Sequence, residues 1–195
     1  MNATQLTIRK TVKNFLPKDI PADIIDTALH AAWRAPTAYN ARPTRIYDIT
    51  GKREAPWLAG QQSPKTAHQL FLFCFSPLEA EQNIRAFIAQ RFGTATNDAK
   101  VDTVIERALT TPSEFCRNQL YLSAGYFSAA LELSNVAGCW IAGFDKHAAK
   151  TDLALPDDIT PELVYACGYA DPENPGTNET DFVRPFESFY FPSNF

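Results

Sequence analysis

Glycine is scarce in this chain, with 8 in 195 residues and no cluster among them. There is no Gly-x-Gly-x-x-Gly, no Walker loop and no Gly-x-Ser-x-Gly elbow, which excludes the usual backbone phosphate cradles and the strained nucleophile turn. The three histidines, His30, His68 and His147, are scattered and no His-Glu-x-x-His occurs, so a zinc site is not expected. The four cysteines, Cys74, Cys116, Cys139 and Cys167, form no Cys-x-x-Cys pair and sit among apolar neighbours. They read as small buried hydrophobes in a reducing, cytoplasmic compartment. No apolar run approaches the roughly 20 residues of a spanning helix, and the N-terminus does not resemble a signal peptide. A net charge of −4 argues against a general nucleic-acid binder, which needs a basic face.

What the chain does have is a hydrophobic content of 45%, charged residues at 21%, and enough length to bury one sizeable core. Aromatics reach 12%, which implies an aromatic core or an apolar interface. Residues 21–33 read as an amphipathic helix, with Ile24, Ile25, Ala28, Leu29 and Ala32 on one face. Strands are expected at residues 44–50, 69–75, 138–141 and 163–169, the second being apolar throughout. Helices are expected at residues 78–92, at 97–109 with Asn97 or Asp98 as cap, and from Asp145 onward. The longest, residues 113–136, is apolar almost all round from Leu120 and so should be buried on every side, partly at a subunit interface. The segment 182–195 carries five Phe, one Tyr and two Pro, an aromatic tail that needs a partner surface or its own domain to cover it. With no repeat and no linker, residues 1–195 form one domain of mixed α+β type.

Two segments could carry chemistry. Arg9, Lys10 and Lys13 place three cations around the hydroxyl of Thr11, a set able to hold a terminal phosphate. A solvated basic helix end is the other reading of the same residues. The second segment is Arg34-Ala35-Pro36-Thr37-Ala38-Tyr39-Asn40-Ala41-Arg42-Pro43. Its prolines should stop the preceding helix near Arg34 and keep the chain extended. That leaves a rigid surface with an Asn amide able both to donate and to accept, against which a flat heteroaromatic ligand could lie.

In combination these segments resemble the nitroreductase family of flavoproteins. Arg9, Thr11, Lys13 and Phe15 match the family's Arg-x-Ser/Thr-x-Arg/Lys-x-Phe, and Ala35, Pro36, Thr37, Asn40 and Pro43 match its Ala-Pro-Ser-x-x-Asn-x-Gln-Pro-Trp. Gln119-Leu120-Tyr121, Trp140-Ile141-Ala142-Gly143-Phe144 and Arg184-Pro185 follow in the family's order. The resemblance implies a central, mainly antiparallel sheet flanked by helices, in an intertwined homodimer with FMN at the interface. It implies that Arg9, Lys10, Thr11, Lys13 and Arg184 hold the phosphate and ribityl chain. Pro36, Thr37, Ala38 and Asn40 would line the flavin from the other subunit, and Ile141, Ala142 and Gly143 would lie near its ring.

The implied activity is hydride transfer from NADH or NADPH, through flavin N5, to a small acceptor such as a nitroaromatic or quinone by ping-pong exchange. Flavin chemistry belongs to the cofactor, so no catalytic nucleophile or base is expected, and no membrane or nucleic-acid partner. Other flavin reactions on the same fold (dehalogenation, ene reduction, flavin breakdown) and a non-catalytic flavin-binding dimer are the alternatives. Arg42 and Thr44 replace the family's Gln and Trp, and Ala142 stands where subgroups place an acid. Arg42 is expected either to add positive charge on the substrate side, favouring anionic acceptors, or to be a surface arginine with no role. Gln61, Gln62 and Lys65 are the candidates for contacts to the ring edge.

Overall fold

Four strands make one antiparallel sheet in the order β1-β2-β4-β3: β1 (Thr44–Asp48), β2 (Gln69–Phe75), β3 (Ala137–Ile141) and β4 (Thr160–Gly168). The computed structural model describes residues 4–174. Among them the helices are α1 (Thr4–Thr7), α2 (Ala22–Arg34), α3 (Ser63–Thr66), α4 (Pro77–Phe92), α5 (Ala99–Ala108), α6 (Pro112–Leu133) and α7 (Lys146–Asp152). The tail 182–195 and Arg184 lie outside the described residues.

The central strands are mostly apolar because both faces of the sheet are covered. Phe71, Phe73, Phe75, Leu163 and Tyr165 point to one side, against α2, α4, α5 and α6. Leu70, Leu72, Cys74, Val164 and Ala166 point to the other, against α7, Trp57, Leu58, Val12 and Phe15. Pairing of Phe71 with Tyr165 and of Leu72 with Val164 keeps like faces together. Phe127 of α6 locks the first layer, its ring 5.2 Å from Phe71, 5.3 Å from Phe73 and 5.7 Å from Tyr165. All four cysteines are buried and free, as their neighbours imply.

Helix α6 buries one stripe, Cys116, Gln119, Leu120, Ser123, Ala124, Phe127 and Leu131. The opposite stripe is open: Tyr121, Leu122 and Tyr126 are 48%, 46% and 48% exposed. Burial on every side is thus not met among the described residues, none of which covers this face of α6. The helix also stops three residues earlier than its apolar run suggests. Asn135 takes a left-handed φ of 60°, and Asn135 and Val136 donate to the carbonyls of Glu132 and Leu131 at 3.0 and 2.9 Å. This is a Schellman closure with asparagine in place of glycine.

The N-terminal segment is sewn to the sheet at the β3 edge. Thr11 bridges Gly138, Phe15 bridges Ala170, and the Leu16 N–H donates to the Tyr169 carbonyl at 2.8 Å. Two glycines permit this approach. A Cβ on Gly168 would meet the Phe15 Cβ at 2.8 Å, and one on Gly138 would meet the Tyr165 ring at 2.2 Å.

Candidate functional site

The first cluster grows from that sewn segment. Val12 is buried, anchored by its N–H to the Gly138 carbonyl at 3.3 Å, while Arg9, Lys10 and Lys13 stay exposed around half-buried Thr11. None of the three cations forms an ion pair with a carboxylate among the described residues. A short stretch around α3 staples this segment to the exit of β3. Gln62 Nε2 donates to Asn14 Oδ1 at 2.8 Å, and the Phe15 N–H donates to Thr66 Oγ1 at 3.2 Å. Gln61 Nε2 donates to the Gly143 carbonyl at 2.7 Å. Of the three ring-edge candidates, Gln61 and Gln62 are therefore the ones tied to the cluster; Lys65 is exposed.

At the exit of β3, Ile141 is 4% exposed and turned into the second core layer, so only its backbone is available to a ligand. Ala142 and Gly143 are exposed. A Cβ on Gly143 would find nothing nearer than Gln61 Nε2 at 3.8 Å, which leaves open space over the backbone. Unpaired cations, a hydroxyl and an uncovered backbone fit a phosphorylated ligand with a flat head.

Glu132, on the last turn of α6, also bears on this cluster. Its Oε1 is buried without a partner among the described residues, beside a cavity of about 300 Å³ that Lys10, Val12 and Asn135 help to line. Burial pushes its carboxyl up to about 7, against the opposing pull of Arg9. Nothing in the cation motif points to it. A lone carboxylate in the apolar run was the available signal.

The second cluster lies at the start of β1. Ala35, which precedes Pro36, is extended as that proline requires, and Thr37 is extended as well, but the chain then coils into a tight turn rather than staying extended. Tyr39, Asn40 and Arg42 have φ of 52°, 55° and 41°. L-residues there pay a steric cost of order 1 kcal/mol each, so the turn must be held from outside. Gln119, buried on α6, accepts from the Ala38 N–H at 2.9 Å, and Asn83 Nδ2 donates to the Ala41 carbonyl at 3.0 Å. The Arg42 N–H reaches Thr37 Oγ1 at 3.3 Å. Pro36, Ala38 and Asn40 remain exposed. Arg42, expected to add charge on the substrate side, turns its guanidinium back onto neighbouring groups. Its Nε donates to Asn40 Oδ1 at 2.6 Å and its Nη1 to the Trp33 carbonyl at 2.8 Å, which leaves it committed within the turn.

One chain does not unite the two clusters. The first is attached to β3 and the second to β1, the opposite edges of the sheet. Three strand spacings, about 14 Å, separate those edges. Among the described residues there is no cluster fit for a metal ion and no helix long and apolar enough to cross a membrane.

Comparison with known proteins gives a consistent answer. The model of the Nitroreductase family matches residues 6–169. The chain is 25% identical over 170 residues to a protein named NADH dehydrogenase from Thermus thermophilus, covering 83% of this chain and 82% of that one. In fold it is similar to a nitroreductase from Exiguobacterium sibiricum solved in complex with FMN, at a TM-score of 0.79 and 16% identity, over 99% of this chain and 98% of that one. It is also similar to the NADPH:FMN oxidoreductase of Vibrio harveyi complexed with NAD+, at a TM-score of 0.71 and 16% identity, over 100% of this chain and 78% of that one.

Proposed function

The chain belongs to the nitroreductase family, and on that premise we propose that it is an FMN-dependent NAD(P)H oxidoreductase acting on small acceptors as a homodimer. Arg9, Lys10, Thr11 and Lys13 hold the FMN phosphate and ribityl chain, joined by Arg184. The backbone of Ile141, Ala142 and Gly143 and the Gln61 side chain lie along the ring. Pro36, Thr37, Ala38 and Asn40 close the site from the partner subunit. FMN, when bound, would supply the redox chemistry between NADH or NADPH and a nitroaromatic or quinone acceptor. The protein's own part is to bind, orient and leave one face of the slot open.

The observation that carries this reading is the separation of two ligand-ready clusters on opposite edges of one sheet. Each is half a site, and the exposed Tyr121, Leu122 and Tyr126 stripe of α6 is the apolar face through which a second copy would bring the missing half. The test is the visible spectrum of the purified protein before and after anaerobic addition of NADH and of NADPH. Oxidised flavin absorbs near roughly 370 and 450 nm, and bleaching by either nucleotide supports the reading and identifies the donor. A colourless protein that takes up no added FMN overturns it. Flavin that neither nucleotide bleaches leaves a binding protein without the proposed enzyme activity.

A further inference from the structure

Arg42 has no counterpart in the family motif, where glutamine is usual, and its contacts assign it a purpose. A guanidinium can only donate. The Asn40 side-chain atom 2.6 Å from Arg42 Nε must therefore be the carbonyl oxygen, and the amide cannot flip without placing its own NH2 against a donor. The same guanidinium donates to the Trp33 carbonyl at 2.8 Å, one of the last carbonyls of α2, which has no acceptor role left inside the helix. Its Cζ stands 5.0 Å from the centre of the Trp33 ring, within range for cation–π attraction. Helix end, aromatic face and amide thus hold Arg42 from three directions.

We propose that Arg42 is a positioning residue that fixes the Asn40 amide as a hydrogen-bond donor toward the ligand. Among the described residues, none takes a hydrogen bond from Asn40 Nδ2. The matching group on the ligand must be an acceptor, and a flavin ring carbonyl, a ring nitrogen or a ribityl oxygen all qualify. A glutamine at position 42 could meet either end of the Asn40 amide and would leave both orientations open. The arginine removes that ambiguity and, through the Trp33 carbonyl, pins the left-handed turn to the end of α2.

This inference rests on the proposed flavin site, and the test separates the two. FMN dissociation constants are measured by fluorescence titration for the unaltered chain, Arg42→Met, Arg42→Lys, Asn40→Ala and the Arg42→Met/Asn40→Ala double variant, with Tm recorded for each. Arg42→Met and Asn40→Ala should each weaken FMN binding by about tenfold, the worth of one hydrogen bond. The double variant should bind no more weakly than Asn40→Ala alone, because Arg42 acts through Asn40. Arg42→Lys, which still offers a donor to Oδ1, should recover most of the affinity even where Tm stays lowered. Losses that multiply in the double variant, or an Arg42→Met chain with lowered Tm and unchanged FMN affinity, overturn the inference while the flavin site stands. Failure of the unaltered chain to bind FMN overturns both.

Discussion

Tyr165 lies across Gly138 so closely that a side chain at residue 138 would stand 2.2 Å from its Cζ and Oη. The Tyr165 ring is 1% exposed and packed against Trp140 at 4.3 Å and Phe127 at 5.7 Å, so it has nowhere to retreat. The Gly138 carbonyl meanwhile holds the Val12 N–H, and with it the strand of cations. The fold and the proposed phosphate site meet at this one backbone position.

Gly138→Ala should therefore destabilise the protein by about 2 kcal/mol, the usual cost of overpacking a rigid core. It should also loosen residues 9–13. Urea denaturation measures the first effect and hydrogen exchange at the Val12 amide the second. A variant of unchanged stability would show that the ring yields.

Arg9→Ala and Lys13→Ala should each weaken FMN binding by about ten- to a hundredfold, since charge-assisted contacts to phosphate are the strong ones. The affinity of the unaltered chain should fall as salt rises, because both cations are exposed. Riboflavin, which lacks the phosphate, is the control: its binding should not respond to either substitution.

Glu132 makes stability depend on pH. Its carboxyl rises from 4.5 to about 7 on folding, so the folded chain keeps a proton that the unfolded chain has released. The stabilising contribution is complete below about 4.5 and is lost as pH rises through about 7. Glu132→Gln should flatten the fall of Tm between about pH 5 and pH 8 and raise Tm at the upper end. Parallel profiles for the two proteins would show that Glu132 does not set the dependence.

Glu162 is buried at 7% side-chain exposure, with Arg117 Nε and Lys146 Nζ each 2.9 Å away. Removing one member of a buried ion pair is costly, but here both cations remain partly open to water and can resolvate. Glu162→Gln should lose about 2 kcal/mol in chemical denaturation. It also frees Lys146 at the start of α7.

Leu122→Glu and Tyr126→Asp place charge on the open stripe of α6. Each should shift sedimentation from dimer toward monomer and release FMN in the same step. A monomer that keeps its flavin would contradict a site shared between subunits.

Much of the fold was legible from pattern alone. β2 was readable to the residue because residues 70–75 are a short, unbroken, aromatic-rich apolar run closed by Pro77, and α2 showed its buried face through Ile25, Ala28 and Ala32. β4 begins three residues before the expected 163 because Pro161 and Glu162 do not look like strand residues. The register slips between Phe73 and Cys74, and this irregularity accommodates a proline and an unpaired position. Arg117 and Lys146, distant in sequence, make the buried glutamate tolerable. The site was legible as two motifs, but the left-handed turn at Tyr39, Asn40 and Arg42 was not. Local propensity disfavours it, and the groups that enforce it, Gln119 and Asn83, come from α6 and α4. Arg42 looked like a free charge for the same reason: its partners are a helix carbonyl and a neighbouring amide.

If the two clusters on opposite sheet edges are halves of a pocket shared between subunits, as proposed, a genetic consequence follows. Suppose one allele cripples the 9–13 segment and another cripples the 36–40 turn, and each alone gives an inactive protein. In a cell that makes both, half of the randomly assorted dimers are mixed. Each mixed dimer collects both lesions in one pocket and leaves the other pocket intact. Two null alleles would then complement each other, whereas two alleles damaged in the same segment never could.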